Sequence, residues 1–304
     1  MKFGRVQDLE PIDFSMPQPP LATEQLLNSL PEPTTSPNIY IGCTGWAMKE
    51  WLGKFYPSTA KSKEFLKHYS RQFTTIELNT THYRIPTPEL VQSWYQMTDD
   101  NFKFSPKIPQ SISHAPDLGM RGKEIGWFCE SIGGLKEKLG TSFMQLPPNF
   151  GPKRIQQLEK FLEKFPLEQV PLAVEVRQEA WFEEEEAFQT FLALLREYQV
   201  GTVITDVAGR RDVLHLGLTT PQLLLRFVGN GLHPTDYERV DAWITLMMDW
   251  LEKGLKDIYF FSHQPDNILS PEMCLYFQEQ LEARTAFEFS KKTKPLNDGQ
   301  MSLF

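Results

Sequence analysis

Eight short runs of aliphatic, β-branched and aromatic residues punctuate this chain, at 39–43, 75–78, 102–107, 142–146, 172–176, 201–205, 223–227 and 257–261. No two of them lie a hairpin turn apart. Crossover-length segments separate them, and several carry helical periodicity, as in KSKEFLKHYSRQF, PELVQSWYQM, GPKRIQQLEKFLEKF and DYERVDAWITLMMDWLEKG. Antiparallel neighbours can be joined by two residues, whereas parallel neighbours need a dozen or more, so this spacing favours a parallel sheet clad in helices. Eight such units over about 250 residues fit an α/β fold of the (β/α)8 TIM-barrel type. A doubly wound open sheet is the rival, weakened because no Gly-x-Gly-x-x-Gly turn follows the first run. Residues 1–37, with seven prolines, then form a Pro-rich N-terminal arm lying on or off the core, in which LATEQLLNSL can make a short helix. Residues 38–290 form the barrel and 291–304 a flexible C-terminal tail.

The totals remove several classes. A net charge of −8 gives no general affinity for a nucleic-acid backbone or an anionic membrane. No apolar run approaches 18 residues, so nothing is expected to span a membrane. The N-terminus lacks an apolar segment after a basic one, so no secretory signal is read there. Cys43, Cys129 and Cys274 are far apart and lack Cys-x-x-Cys spacing, which reads as a reducing, cytoplasmic compartment without a disulfide frame.

In a barrel, function sits at the C-terminal ends of the strands and in the loops after them. Strand alternation selects what points there. In LAVEVR, Leu172, Val174 and Val176 face one way, Ala173, Glu175 and Arg177 the other; in TIELN, Ile76 and Leu78 oppose Glu77 and Asn79. The third run puts Lys103, Ser105 and Lys107 on one side, the sixth runs into Asp206, the seventh holds Arg226, and the eighth leads to Ser262 and His263. Most strands therefore end in a polar group aimed at one region. Buried ion pairs that merely fix the interior would give the same pattern, but such pairs stabilise weakly, and their concentration at strand ends favours a functional site. After the seventh strand, RFVGNGLHPT offers Arg226 with Gly229 and Gly231, which reads either as a phosphate-binding loop or as a tight turn into the next helix. No metal-ligand spacing is present among Glu77, Glu175, Asp206, His114 and His263, so no metal is expected. The sequence names no cofactor, and Gly-x-Ser-x-Gly is absent. Cys43 is a possible nucleophile at the end of the first run, with apolar packing the stronger reading. Trp46, Trp51, Phe55, Tyr56 and Tyr83 wall a pocket or pack beneath the long first loop.

Several ordered motifs, IYIGCTGW…FYP, TIELNTTHYRIP, FKFSPKIPQSISH, LPPNFG, AVEVR…WF and LLRFVG, together resemble the YecE-like family, over roughly residues 39–281. The resemblance implies a (β/α)8 barrel without a settled reaction. It also implies a pocket at the mouth containing Gly42, Gly45, Trp46, Glu77, Asn79, Thr81 and Tyr83 from the first two units. Lys107, His114, Gln145, Glu175, Arg177, Asp206 and Arg226 follow from the later ones. The chain departs from the family where Glu-x-Arg is commonly followed by His-Pro-Ser, since Gln178, Glu179 and Ala180 stand there. His82 replaces the usual Phe, and Val228-Gly229 stands near a common His-Gly pair, leaving His263 as the nearby histidine.

The expected function is an enzyme of hydrolase, lyase or isomerase type acting on an anionic, phosphate-bearing substrate. Glu77, Glu175, Asp206 and His263 are its acid–base candidates. Trp46, Asn79, Tyr83, Lys107, His114, Gln145, Arg177, Arg226 and Gly229 are its substrate contacts. The alternative is a non-catalytic ligand-binding or adaptor barrel in DNA replication or repair. That context comes from the terminal QMSLF, which resembles the short peptide that docks on the bacterial DNA sliding clamp. Gln300 would hydrogen-bond at a pocket rim, Leu303 and Phe304 would enter it as apolar anchors, and Ser302 completes the partner-binding pattern. A tail that folds back onto the barrel is the other reading.

Overall fold

The computed structural model describes residues 6–285, 287, 289 and 294–296. All eight expected strands are present: β1 (Asn38–Cys43), β2 (Thr75–Leu78), β3 (Lys103–Pro106), β4 (Ser142–Gln145), β5 (Leu172–Glu175), β6 (Gly201–Val207), β7 (Gln222–Val228) and β8 (Asp257–His263). Every pairing is parallel. The fold is therefore α/β with a parallel sheet, but the ladder is not closed. Six strands run in the order β1-β8-β7-β6-β5-β4, and β2 and β3 form a separate pair.

The two seams have physical causes. Between β1 and β2 a side chain stands in for ladder bonds: the Tyr69 hydroxyl accepts from Cys43 N at 2.7 Å and donates to Thr75 O at 2.9 Å. Room for this wedge depends on Gly42, where a Cβ would lie 2.0 Å from Thr75 O and 2.9 Å from the Tyr69 oxygen. Main-chain contact there shrinks to bonds such as Thr74 N to Ile41 O, 3.1 Å. Between β3 and β4 the proline at 106 cannot donate to a ladder. Isolated bonds remain on either side of it, Gly140 N to Phe104 O (2.8 Å) and Ile108 N to Phe143 O (2.9 Å).

Alternation divides the sheet into two faces. Ile41, Ile76, Leu78, Val174, Ile204, Leu225, Ile258 and Phe260 join the main core with helix residues such as Trp243, Met247 and Phe277. The opposite face carries a separate apolar layer of Phe143, Ala173, Val203, Leu224, Tyr259 and Phe261, with Tyr40 stacked on Tyr259 at 4.6 Å. Two residues further along those strands, on this second face, stand Gln145, Glu175, Thr205, Arg226 and His263.

The connection from β6 to β7 has no crossover helix, only the short 3-10 run Ala208–Val213. The N-terminal helix Leu21–Ser29 fills that gap. Thr23 Oγ1 donates to Leu216 O (2.9 Å) and accepts from Leu218 N (2.8 Å), and Leu26 and Leu27 are buried in the main core. The Pro-rich arm thus lies on the core along this stretch. No helix among the described residues is long and apolar enough to cross a membrane.

Candidate functional site

Arg226 organises the C-terminal ends of the strands. From β7 its guanidinium grips Glu77 of β2 with two bonds, Nε to Oε2 and Nη2 to Oε1, both 2.9 Å, and Glu175 of β5 with a third, Nη1 to Oε2 at 3.0 Å. Both carboxylates are then saturated. Glu77 also accepts from Asn79 Nδ2 (2.7 Å) and His263 Nε2 (2.9 Å). Glu175 also accepts from Arg177 Nε (2.7 Å), Thr205 Oγ1 (3.0 Å) and Gln145 Nε2 (2.6 Å). A carboxylate has about four lone-pair positions, so each is fully used by protein donors. All three residues are buried, at 0% exposure for Glu77, 3% for Glu175 and 1% for Arg226.

The electrostatics follow. Burial works against ionisation of Glu77, but Arg226 and His263 outweigh it and hold the carboxyl well below its usual range. For Glu175, burial is likewise overcome by Arg177 and Arg226, leaving it at about 2. These two carboxylates stay charged at neutral pH and have no lone pair left for a substrate proton. Expected as acid or base, in this arrangement they instead hold the cations and His263 in place through every lone-pair position.

Lys107 is different. Its Nζ donates to Gln145 Oε1 at 2.9 Å, lies over the Phe143 ring at 5.9 Å from the centroid, and has no carboxylate within 4.0 Å among the described residues. Burial, then repulsion from Arg226, brings its ammonium down to about 8. His263 is lowered as well, because burial outweighs the attraction of Glu77, so its imidazole is neutral at pH 7. With Nε2–H committed to Glu77, Nδ1 carries the lone pair and has no hydrogen-bond partner among the described residues. His114, half-buried, is lowered by burial and by the charges of Lys107 and Arg177.

Around this centre His82, which sequence reasoning noted only as a departure, is held by Nδ1–H donating to Ile108 O at 3.0 Å. Its ring stands 5.4 Å from that of His114 and 5.3 Å from Tyr83, whose side chain is 80% exposed at the rim. A cleft of about 790 Å3 opens beside Arg177, lined also by Asn149, Lys153, Arg154, Gln178 and Arg210 from the loops after β4, β5 and β6.

Two expected positions are placed elsewhere. Asp206 points to the opposite face, toward the helix Pro234–Glu252, and accepts from Arg239 Nη1 (2.8 Å) and Trp243 Nε1 (2.7 Å) of that helix and from Arg211 Nη1 (2.6 Å) of the 3-10 run. Its neighbour on the face that carries Glu175 and Arg226 is Thr205, which sequence reasoning missed and which the Val203-x-Thr205 alternation would have revealed had the phase of β6 been known. Gly229 does not open a phosphate cradle. The loop amides are already taken: Gly229 N by His263 O, Asn230 N by Asp236 Oδ2, and Gly231 N by Gln264 Oε1. Gly229 instead makes room for Gln264, whose amide nitrogen would lie 2.1 Å from an added Cβ. Trp46 packs edge-on against Trp94 of helix Pro88–Met97, at 6.0 Å. Cys43 is fully buried with its sulfur 3.8 Å from that of Cys274, and burial pushes its thiol well up, which suits packing. Gln300, Ser302, Leu303 and Phe304 lie outside the described residues. No group of three or more potential metal ligands occurs among the described residues.

Comparison with known proteins places this arrangement. The family model "Protein of unknown function DUF72" matches residues 40–297. UPF0759 protein YecE of Escherichia coli K12 is 30% identical over 275 residues, covering 84% of this chain and 94% of the relative. UPF0759 protein YunF of Bacillus subtilis is 28% identical over 150 residues, covering 47% and 52%. Among solved structures, a DUF72 family protein from Enterococcus faecalis V583 superposes with a TM-score of 0.66 at 21% identity, over 83% of this chain and 97% of the other. One from Thermotoga maritima MSB8 gives 0.60 at 26%, over 81% and 99%. The ordered motifs, the parallel α/β fold and these matches together make the chain a member of the DUF72 family.

Proposed function

We propose that the two sheets act as one (β/α)8 barrel, and that its mouth is an enzyme site for a small anionic, phosphate- or carboxylate-bearing molecule. Lys107 carries this reading. Among the described residues, Arg226 pairs with Glu77 and Glu175 and Arg177 with Glu175, whereas Lys107 has no carboxylate within 4.0 Å. A buried ammonium lacking a counter-charge is costly, and an anionic ligand would supply it. His263 Nδ1 and the Lys107 amine can exchange protons, which gives the site acid–base capacity beyond binding. Thermal-shift titration with inorganic phosphate and with a phosphorylated sugar tests this. Wild type should be stabilised and Lys107→Met should bind at least tenfold more weakly. Wild-type affinity should fall as pH rises through about 8, where Lys107 loses its charge. No binding of either probe, or equal binding by the variant, overturns the reading.

A second proposal concerns cellular context and rests on sequence alone: QMSLF docks on a DNA sliding clamp. A peptide of the last ten residues should bind the clamp, and binding should vanish when Leu303 and Phe304 are deleted. Binding that survives the deletion, or none from the intact peptide, removes the proposal.

A further inference from the structure

Lys107 is an ammonium whose neutral amine form lies within easy reach of neutral pH. Its main chain is fixed at the end of β3, with its N–H donating to Leu78 O at 3.3 Å and its carbonyl accepting from Thr81 Oγ1 at 2.7 Å. Among the described residues the side chain meets one acceptor, Gln145 Oε1, and the orientation of that amide is set by Gln145 Nε2 donating to Glu175 Oε2 at 2.6 Å. An ammonium carries three protons and would leave two without a protein acceptor. A neutral amine satisfies Gln145 with one proton and keeps a lone pair. Residue 107 is 3% exposed, and the charges of Arg226 and Arg177 both bear on it. Desolvation beside other cations is the arrangement that turns a lysine into a nucleophile. His263, held to Glu77 through Nε2, has its Nδ1 unengaged among the described residues.

We propose that Lys107 forms an imine with the carbonyl group of an anionic aldehyde or ketone, a 2-oxo acid or a phosphorylated ketone. The proposal rests on the anion-binding reading above and adds covalent chemistry to it. The amine lone pair attacks the carbonyl carbon, and the carbonyl π pair moves to oxygen. His263 Nδ1 takes one proton from nitrogen and returns it to the oxygen, giving a neutral carbinolamine. The second nitrogen proton follows the same route to the hydroxyl, which leaves as water while the nitrogen lone pair forms the C=N bond. Amine plus carbonyl gives imine plus one water, with no change of oxidation state. The imine, once protonated, is an electron sink that makes bonds next to the former carbonyl labile. That chemistry belongs to lyases and isomerases, and it uses neither saturated carboxylate as an acid.

The test is reductive trapping on the full-length protein. Pyruvate in one arm and dihydroxyacetone phosphate in the other are incubated with the protein and sodium cyanoborohydride, and adducts are mapped by peptide mass spectrometry. One arm should label Lys107 at least tenfold faster than the exposed Lys153, and excess inorganic phosphate should slow it. The arm that labels distinguishes a carboxylate-bearing from a phosphate-bearing substrate. Labelling of Lys107 no faster than Lys153 in both arms overturns the imine. Because the readout is on wild type, it does not depend on a variant folding; Lys107→Arg, checked by circular dichroism, serves as the unlabelled control. If phosphate stabilises the protein but no adduct forms, imine chemistry fails and anion binding stands. If an adduct forms without any anion binding, the anion reading is the one that fails.

Discussion

Replacing Glu175 by Gln keeps the side-chain shape and removes its charge, so the consequence follows from the contacts already described. Four donors converge on the carboxylate, Gln145 Nε2, Arg177 Nε, Thr205 Oγ1 and Arg226 Nη1, at 2.6–3.0 Å. An amide presents one oxygen and one NH2 group, so nitrogen donors are left facing a donor. Two routes give the size. Removing one partner of a buried ion pair costs about 3–5 kcal/mol. Separately, burial raises the Glu175 carboxyl while Arg177 and Arg226 more than offset it, taking it from 4.5 to about 2. A depression of that size corresponds to roughly 3 kcal/mol at neutral pH. The sign is fixed because the folded value lies below the unfolded one. The contribution is complete above pH 4.5 and is lost as pH falls toward 2, with less than half remaining at pH 3. Urea unfolding followed by far-ultraviolet circular dichroism at pH 7, 4 and 3 measures it. Glu175→Gln should be about 3–5 kcal/mol less stable at pH 7, with the deficit shrinking on acidification. A deficit below about 1 kcal/mol at pH 7, or one unchanged at pH 3, would refute the view that Glu175 is a charge-saturated anchor.

Two further substitutions probe how the fold carries this site. Thr23→Val removes both hydrogen bonds that dock the N-terminal helix and strands Leu216 O and Leu218 N, which should cost about 2 kcal/mol; an unchanged melting temperature would show that the helix does not brace the β6–β7 gap. Gly42→Ala drives a Cβ to 2.0 Å from Thr75 O and against the Tyr69 hydroxyl, so the β1–β2 seam must open at a cost of about 3 kcal/mol or more; a variant that melts with wild type would mean the wedge is dispensable.

Much of the site was legible because strand alternation is local. Glu77 with Asn79, Glu175 with Arg177, and Lys107 with Ser105 can be assigned to one face from their own runs. The eight strands were legible for the same reason, since apolar runs and crossover lengths are properties of short stretches. Asp206 was misplaced because alternation gives two faces without saying which one carries Glu175 and Arg226. In β6, Thr202, Ile204 and Asp206 share one side and Val203 and Thr205 the other, and only the helix carrying Arg239 and Trp243 decides between them. The loop after β7 misled in a related way. Its glycines do permit a cradle, but the acceptors that consume its amides, Asp236 and Gln264, arrive from the following helix and from the end of β8.

The sequence by itself determined the parallel α/β plan, the polar character of the strand ends and the identity of most groups gathered there, because each is encoded in a residue's near neighbours. Tertiary structure alone decided that one guanidinium bridges Glu77 and Glu175 across 149 and 51 residues of chain, leaving Lys107 as the cation without a carboxylate. It alone set an N-terminal helix where a sixth crossover helix is missing, and a tyrosine hydroxyl where two strands would otherwise pair. Saturation of a carboxylate and closure of a seam depend on what arrives from distant parts of the chain, and no local pattern records that.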